Sequence, residues 1–286
     1  MKFVIVIIVG AVMWLGEHQS ALAQGMGASG ATNPHFVDCD RSGSINLALA
    51  SGHRLIEFTG SCDEEIEINS DAVELIGSGT ASASVNEVVA DGARVFLRGF
   101  TVTGEAIFLN RGSFGIIRDV VIEEGTLALF HNSGAELRDS EITGPTTDQA
   151  VQVLRNSFIR IRQNNTITGD PAQAAITVGS DSSLIVTNSG NQITGLVNVS
   201  GASLAEIRTG NVSDLVKADL HSVIVVRPDA NILGNVDLSQ DSALVNDDPD
   251  AGIVTVGGSV TCADVESSIG GNIFIDGGTN CTDFKF

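Results

Sequence analysis

Serine and arginine recur five residues apart down the middle of this chain: Ser113 and Arg118, Ser133 and Arg138, Ser157 and Arg162, Ser203 and Arg208, Ser222 and Arg227. Ala93 with Arg98 begins the series, and Ser182 with Thr187 and Ser242 with Asp247 keep the spacing without the arginine. Successive members lie 19 to 25 residues apart, the period of one coil of a solenoid. The residue before each arginine position is aliphatic (Leu97, Ile117, Leu137, Ile161, Val186, Ile207, Val226), and an apolar or small residue stands two before that. Such alternation puts both on one side of a strand and the arginine on the other.

Two more inward sets complete each coil. A second strand carries pairs such as Ile107 with Leu109, Leu127 with Leu129, Val151 with Val153 and Ile176 with Val178. A third, short segment carries one aliphatic, from Val102, Ile122, Ile142 and Ile167 to Ile232, often followed by Thr-Gly. Three short faces per coil make a triangular tube. The few strong helix formers and the Gly and Asn at corners argue against a helical solenoid. The expectation is an all-β, single-domain parallel β-helix of three faces and about ten coils. Gly104, Gly125, Gly144, Gly169, Gly195 and Gly234 follow the third aliphatic, where a corner is expected to need positive φ. No coil buries enough apolar surface to offset the entropy of ordering it, so stability must come from stacking.

Residues 1–23 carry Lys2, an apolar run from Phe3 to Leu15 and Ala21-Leu22-Ala23, which reads as a secretory signal. Residues 24–36 read as a small-residue linker and 37–286 as the β-helix with end caps. The apolar run is too short to span a membrane, so no membrane insertion of the mature chain is expected, and its location is read as secreted or periplasmic. Removing residues 1–23 deletes one base and one acid, leaving the net charge at −20. A chain so acidic is a poor partner for nucleic acid or anionic membrane. Four cysteines allow three pairings. Cys39 and Cys62 are 23 residues apart and Cys262 and Cys281 are 19 apart, each about one coil, so residues stacked one above the other favour 39–62 and 262–281. Export supplies the oxidising conditions. Ser42 or Ser44 can cap a short N-terminal helix with Ile45, Leu47, Ala48 and Leu49 apolar, and Phe274 and Phe284 are candidate lids at the other end.

The order of Cys39, the Ser44-Ile45 helix, the strand before Gly60, Cys62, Glu65-Ile66-Glu67-Ile68 and then Ile-Thr-Gly coils resembles secreted bacterial right-handed β-helix proteins of the pectin-lyase-like superfamily. The resemblance covers about residues 37–286 and implies right-handedness; the superfamily spans lyases, glycoside hydrolases and adhesins, so it implies no single activity. Of the Asn-x-Asp, paired-aspartate, Gly-His-Gly and Arg-x-Lys series of polygalacturonase-like members, Gly-His-Gly and Arg-x-Lys are absent, and no histidine follows the pair Asp247-Asp248. No catalytic residue, metal ligand or cofactor is therefore assigned. The turn from Asn246 to Asp250 offers oxygens to calcium but its spacing matches no EF-hand. His131 is the one histidine amid the outward arginines, where a turn residue competes with a general base.

The arginine column is a surface ladder relieved by Glu136, Asp119 and Asp139, or a cationic stripe for an anionic glycan. Arg138, Arg160 and Arg162 form its densest part. Insertions at 144–149 and 169–173 lengthen one corner of the same coils, with Gln152 and Thr177 pointing outward beside them. These five residues are the candidate ligand site. The reading is a non-catalytic module, structural or binding an anionic polysaccharide or cell-surface component; its oligomeric state is left open. The alternative is a calcium-assisted uronate lyase-like enzyme using Arg118 or Arg138 with neighbouring aspartates.

Overall fold

Alternation of aliphatic and polar residues builds one strand per face in every coil, and the coils pair in parallel one above the next. The computed structural model describes residues 33–69, 72–78, 83–212, 214–248 and 250–284. The signal segment and most of the linker lie outside them. His35–Phe286 is one compact unit. Its first face is a sheet of thirteen strands running from His35–Asp38 to Thr282–Phe284 and containing every strand of the serine–arginine column. The second and third faces belong to a nineteen-strand sheet. Ser61–Ile68 pairs along its length with Ser84–Asp91, which turns the corner and pairs with both Thr101–Val102 and Ala106–Asn110, joining the two faces.

The register stacks the aliphatic files as their spacing predicts. Leu97 pairs with Ile117, Ile117 with Leu137, Leu137 with Ile161 and Ile161 with Val186; all five are buried. The stack makes about eleven turns, slightly more than the periodicity suggests, because strands at both ends lack the marker residues. The first strand begins at His35, taking the last two linker residues into the fold.

The serines are the inner half of the repeat and they are buried. Each backbone N–H from Ser133, Ser157, Ser182, Ser203, Ser222 and Ser242 donates to the Oγ of the serine one coil further on, ending at Ser267, over 3.2–3.3 Å. A hydroxyl suits this place because it can accept from a neighbouring coil while donating within its own turn, as Ser113 Oγ does in accepting from Ala93 N and donating to Asn110 O. Most of these serines follow two residues with positive φ, among them His131–Asn132, Arg155–Asn156, Ser180–Asp181 and Gln240–Asp241. Asn, Asp and His tolerate that conformation better than most side chains. A shorter ladder of asparagines occupies the corner after the arginines, where Ser140 N donates to Asn165 Oδ1 and Asn165 N to Asn191 Oδ1.

The corner glycines work differently from the expectation. Of the six, Gly195 alone has positive φ; the others are required by close approach. A Cβ on Gly169 would lie 2.6 Å from Ala175 N, and one on Gly144 2.8 Å from Ala150 Cβ, because the lengthened chain folds back tightly at this corner.

Both disulfides, Cys39–Cys62 and Cys262–Cys281, join residues whose Cα atoms are 5.1 Å apart. The N-terminal helix is Ile45–Ala50 with Ser44 as its cap, whose Oγ accepts from Leu47 N at 3.2 Å. Glu64 reinforces that end by accepting from Ser44 Oγ and Ile45 N. Ile45 and Ala48 close the core, whereas Leu47 is 68% exposed. Phe274 is no lid: it occupies the outward position of Ile273–Ile275 beside Thr255 and is 55% exposed. The side chain of Phe284 is outside the described residues.

Candidate functional site

Strand parity determines which side chains the first face presents. Outward from Phe158–Arg162 point Phe158, Arg160 and Arg162; their partners are Gly134, Glu136 and Arg138 in the coil before and Ser183, Ile185 and Thr187 in the coil after. Arg138, Arg160 and Arg162 thus come together around one buried carboxylate. Glu136 Oε1 accepts from Arg138, drawn back along its own strand, and from Arg162 Nη1 at 3.3 Å. The Arg160 side chain makes no ion pair or hydrogen bond among the described residues. Burial, and then repulsion from Arg162, hold its guanidinium pKa below the usual value, with Glu136 and Glu206 opposing at longer range.

Elsewhere the arginine column is balanced. Arg98 and Arg118 lie 3.4–3.8 Å from Asp119 and Asp139. Arg208 binds Glu206 through two hydrogen bonds of 2.7 and 2.8 Å, and that bonding raises its pKa. Arg227 contacts Glu206 at 3.1 Å and Asp247 at 3.2 Å. The two outer groups match two arginines with two acids, while the middle group sets three arginines against Glu136. Buried polar atoms without a hydrogen-bond partner occur both in the middle group, Arg162 Nε and Thr187 Oγ1, and in the group around Glu206, Arg227 Nε.

An aromatic surface adjoins this cluster, and sequence reasoning missed it. Phe158 and Phe114 face outward two coils apart with ring centroids 6.0 Å apart. Gly134 lies between them beneath the Phe158 ring, which a Cβ there would strike. Both rings are partly exposed, and Phe158 sits two residues before Arg160. The signal was present in the strand parity that places the arginines.

Gln152 and Thr177 are brought together, but elsewhere. They pair with each other on the second face, and Gln152 Nε2 donates to Asp148 Oδ1 at 2.7 Å. Between Arg138 and Gln152 the chain crosses the third face at Glu141–Thr143 and the insertion at 144–149. The five candidate residues therefore occupy two faces. The insertions stack at the corner between the third and second faces: Gly144 N donates to Thr168 O and Gly169 N to Thr194 O. Asp148 and Asp170 close their own turns.

His131 is an exposed turn residue whose Nε2 accepts from Arg155 Nη1, leaving Nδ1 to donate to Asn110 Oδ1 at 2.7 Å. In the Asn246 turn, Asn246 Oδ1 accepts from Asp248 N while Asp247 is held by Arg227. No group of three or more His, Cys, Asp or Glu side chains among the described residues is placed to hold a metal ion, and none of their helices is long and apolar enough to cross a membrane. Comparison with protein-family models, curated proteins and solved structures finds no match for this chain.

Proposed function

We propose that this chain is an exported, non-catalytic β-helix module that holds an anionic polysaccharide or cell-surface component on its first face. The observation that carries the reading is the charge imbalance around Glu136: three arginines to one carboxylate, with Arg160 unpaired. On a protein with net charge −20, such a spot selects for an anionic group, and guanidinium groups bind carboxylate and sulfate well. The Phe114–Phe158 surface offers the apolar side of a sugar ring a place to stack. Two disulfides at the ends of the stack suit an oxidising, extracytoplasmic setting, which supports secretion or periplasmic residence. The parallel three-faced stack with a short N-terminal helix supports assignment to the right-handed pectin-lyase-like group.

Binding to an array of acidic and neutral glycans tests the reading. Joint replacement of Arg138, Arg160 and Arg162 by glutamine is expected to abolish retention on acidic glycans, and Phe158→Ala to weaken it several-fold, in line with about 0.5–1.5 kcal/mol for an aromatic contact. Unchanged retention in the triple variant overturns the proposal. Release of unsaturated product from a uronate polymer with calcium present would replace it by the lyase alternative.

A further inference from the structure

Toward the carboxy-terminal end, the first face turns apolar outside as well as inside. Ile185, Leu204, Val223, Val225, Ala243 and Val245 hold adjoining outward positions on four successive strands, and all are partly exposed. At the same level the central outward residues are Asn198, Lys217 and Asp237 on the second face and Gln192, Asn211 and Asn231 on the third. The patch is therefore a property of one face, and a contiguous apolar patch marks a surface that meets another. Its charged edge says what it meets. Arg227 and Asp247 stand one above the other beside Val225 and Val245, bonded at 3.2 Å and each 35% exposed.

We propose that this patch pairs with the same patch of a second copy, about a two-fold axis parallel to the strands and midway between Val223–Val226 and Ala243–Val245. That axis sets Val225 on Val245, Val223 on Ala243, Leu204 on Ser268 and Arg227 on Asp247, each contact occurring twice. The four charges then alternate in sign. An axis on either strand itself would oppose Arg227 to Arg227 or Asp247 to Asp247, and one along the tube would set Arg227 on Val223. The same axis moved to the middle group would oppose Arg138 to Arg162. Only the neutral group around Glu206 and Asp247 is self-complementary. Thr282–Phe284 of the second copy falls opposite Ser183–Thr187, so no described strand of it covers Phe158–Arg162. Four strands at ~4.8 Å with three outward positions at roughly 7 Å give a footprint of about 400 Å² per copy. That is half of the ~800 Å² of a standard interface, so the pairing is reversible.

Sedimentation velocity of the intact chain at on the order of 100 µM is expected to show a dimer that dissociates on dilution to about 1 µM. Arg227→Glu and Asp247→Arg each place like charges in opposition twice and should be monomeric. An equimolar mixture of the two variants restores opposite charges at both contacts and should sediment as a dimer again. Val225→Lys leaves the charged edge in place and should also give monomer. Thermal unfolding checks that each variant is folded, and if either charge variant is not, Val225→Lys and Val245→Lys decide. An unaltered chain that stays monomeric at the higher concentration overturns the proposal. So does a dimer that persists in both charge variants or in the lysine variants. A mixture that fails to recover the dimer lost in its two components overturns the axis and with it the proposed pairing.

Discussion

The coils around Glu136 and those around Glu206 use one device and arrive at different ends. In each, a buried glutamate draws back the arginine two residues on, Arg138 or Arg208, and takes a second from the next coil, Arg162 or Arg227. Two positions then diverge. Where the middle group has Arg160 two before Arg162, the lower group has Val225 two before Arg227; where the middle continues to Thr187, the lower continues to Asp247. The lower group is thereby neutralised, and the middle keeps unspent positive charge. The glutamate clamp is accordingly a way of packing arginines on a sheet, and the two groups differ through the two residues that break its balance.

The largest effect expected from testing this comparison is on stability. Glu136→Gln leaves three arginines without an acid in contact, whereas Glu206→Gln leaves Arg227 with Asp247. For partly exposed pairs, between the roughly 3–5 kcal/mol of a broken buried pair and the under ~1 kcal/mol of an exposed one, Glu136→Gln should cost about 2 kcal/mol in denaturant unfolding and Glu206→Gln less. The reverse order would break the comparison.

Exchange of the divergent residues comes next. Arg160→Val makes the middle group resemble the lower one and is expected to cut polyanion affinity about tenfold, or about 1.4 kcal/mol, with no loss of melting temperature. The converse pair, Val225→Arg with Asp247→Thr, should raise the binding stoichiometry seen in titration calorimetry. A stoichiometry unchanged by that pair would show that balance alone does not make the site.

The smallest effect belongs to a control without arginines. Glu87 is held above the ordinary carboxylate pKa by burial, then by Glu65 and Glu105. A raised folded-state pKa means that ionisation opposes folding. The penalty is present above the folded pKa and disappears as pH falls below the unfolded one. Glu87→Gln should therefore stabilise at neutral pH by less than ~1 kcal/mol, and the gain should vanish in acid unfolding curves near the carboxylate range.

What was legible in the sequence follows from stacking. Because Leu97, Ile117, Leu137 and Ile161 had to lie in one file, their spacing revealed the faces, and the same spacing placed both disulfides. Arg138, Arg160 and Arg162 shared a face for the same reason. Linear proximity misled where a corner intervened: Gln152 is close to Arg138 along the chain, yet an entire face separates them. Gly144 and Gly169 announced a corner, but whether a glycine answers to φ or to crowding depends on which backbone lies opposite. Phe274 looked like a lid by size, although its parity turned it outward.

The serine ladder also determines where this tube tolerates change in length. Every coil from Ser133 to Ser267 is fastened to the next at that corner, so an extra residue there would tear a continuous hydrogen-bonded seam. At 144–149 and 169–173 the chain bulges without touching the seam. Foreign peptides spliced into those bulges should be carried outward side by side, about one strand spacing apart, on a frame that does not need to know they are there.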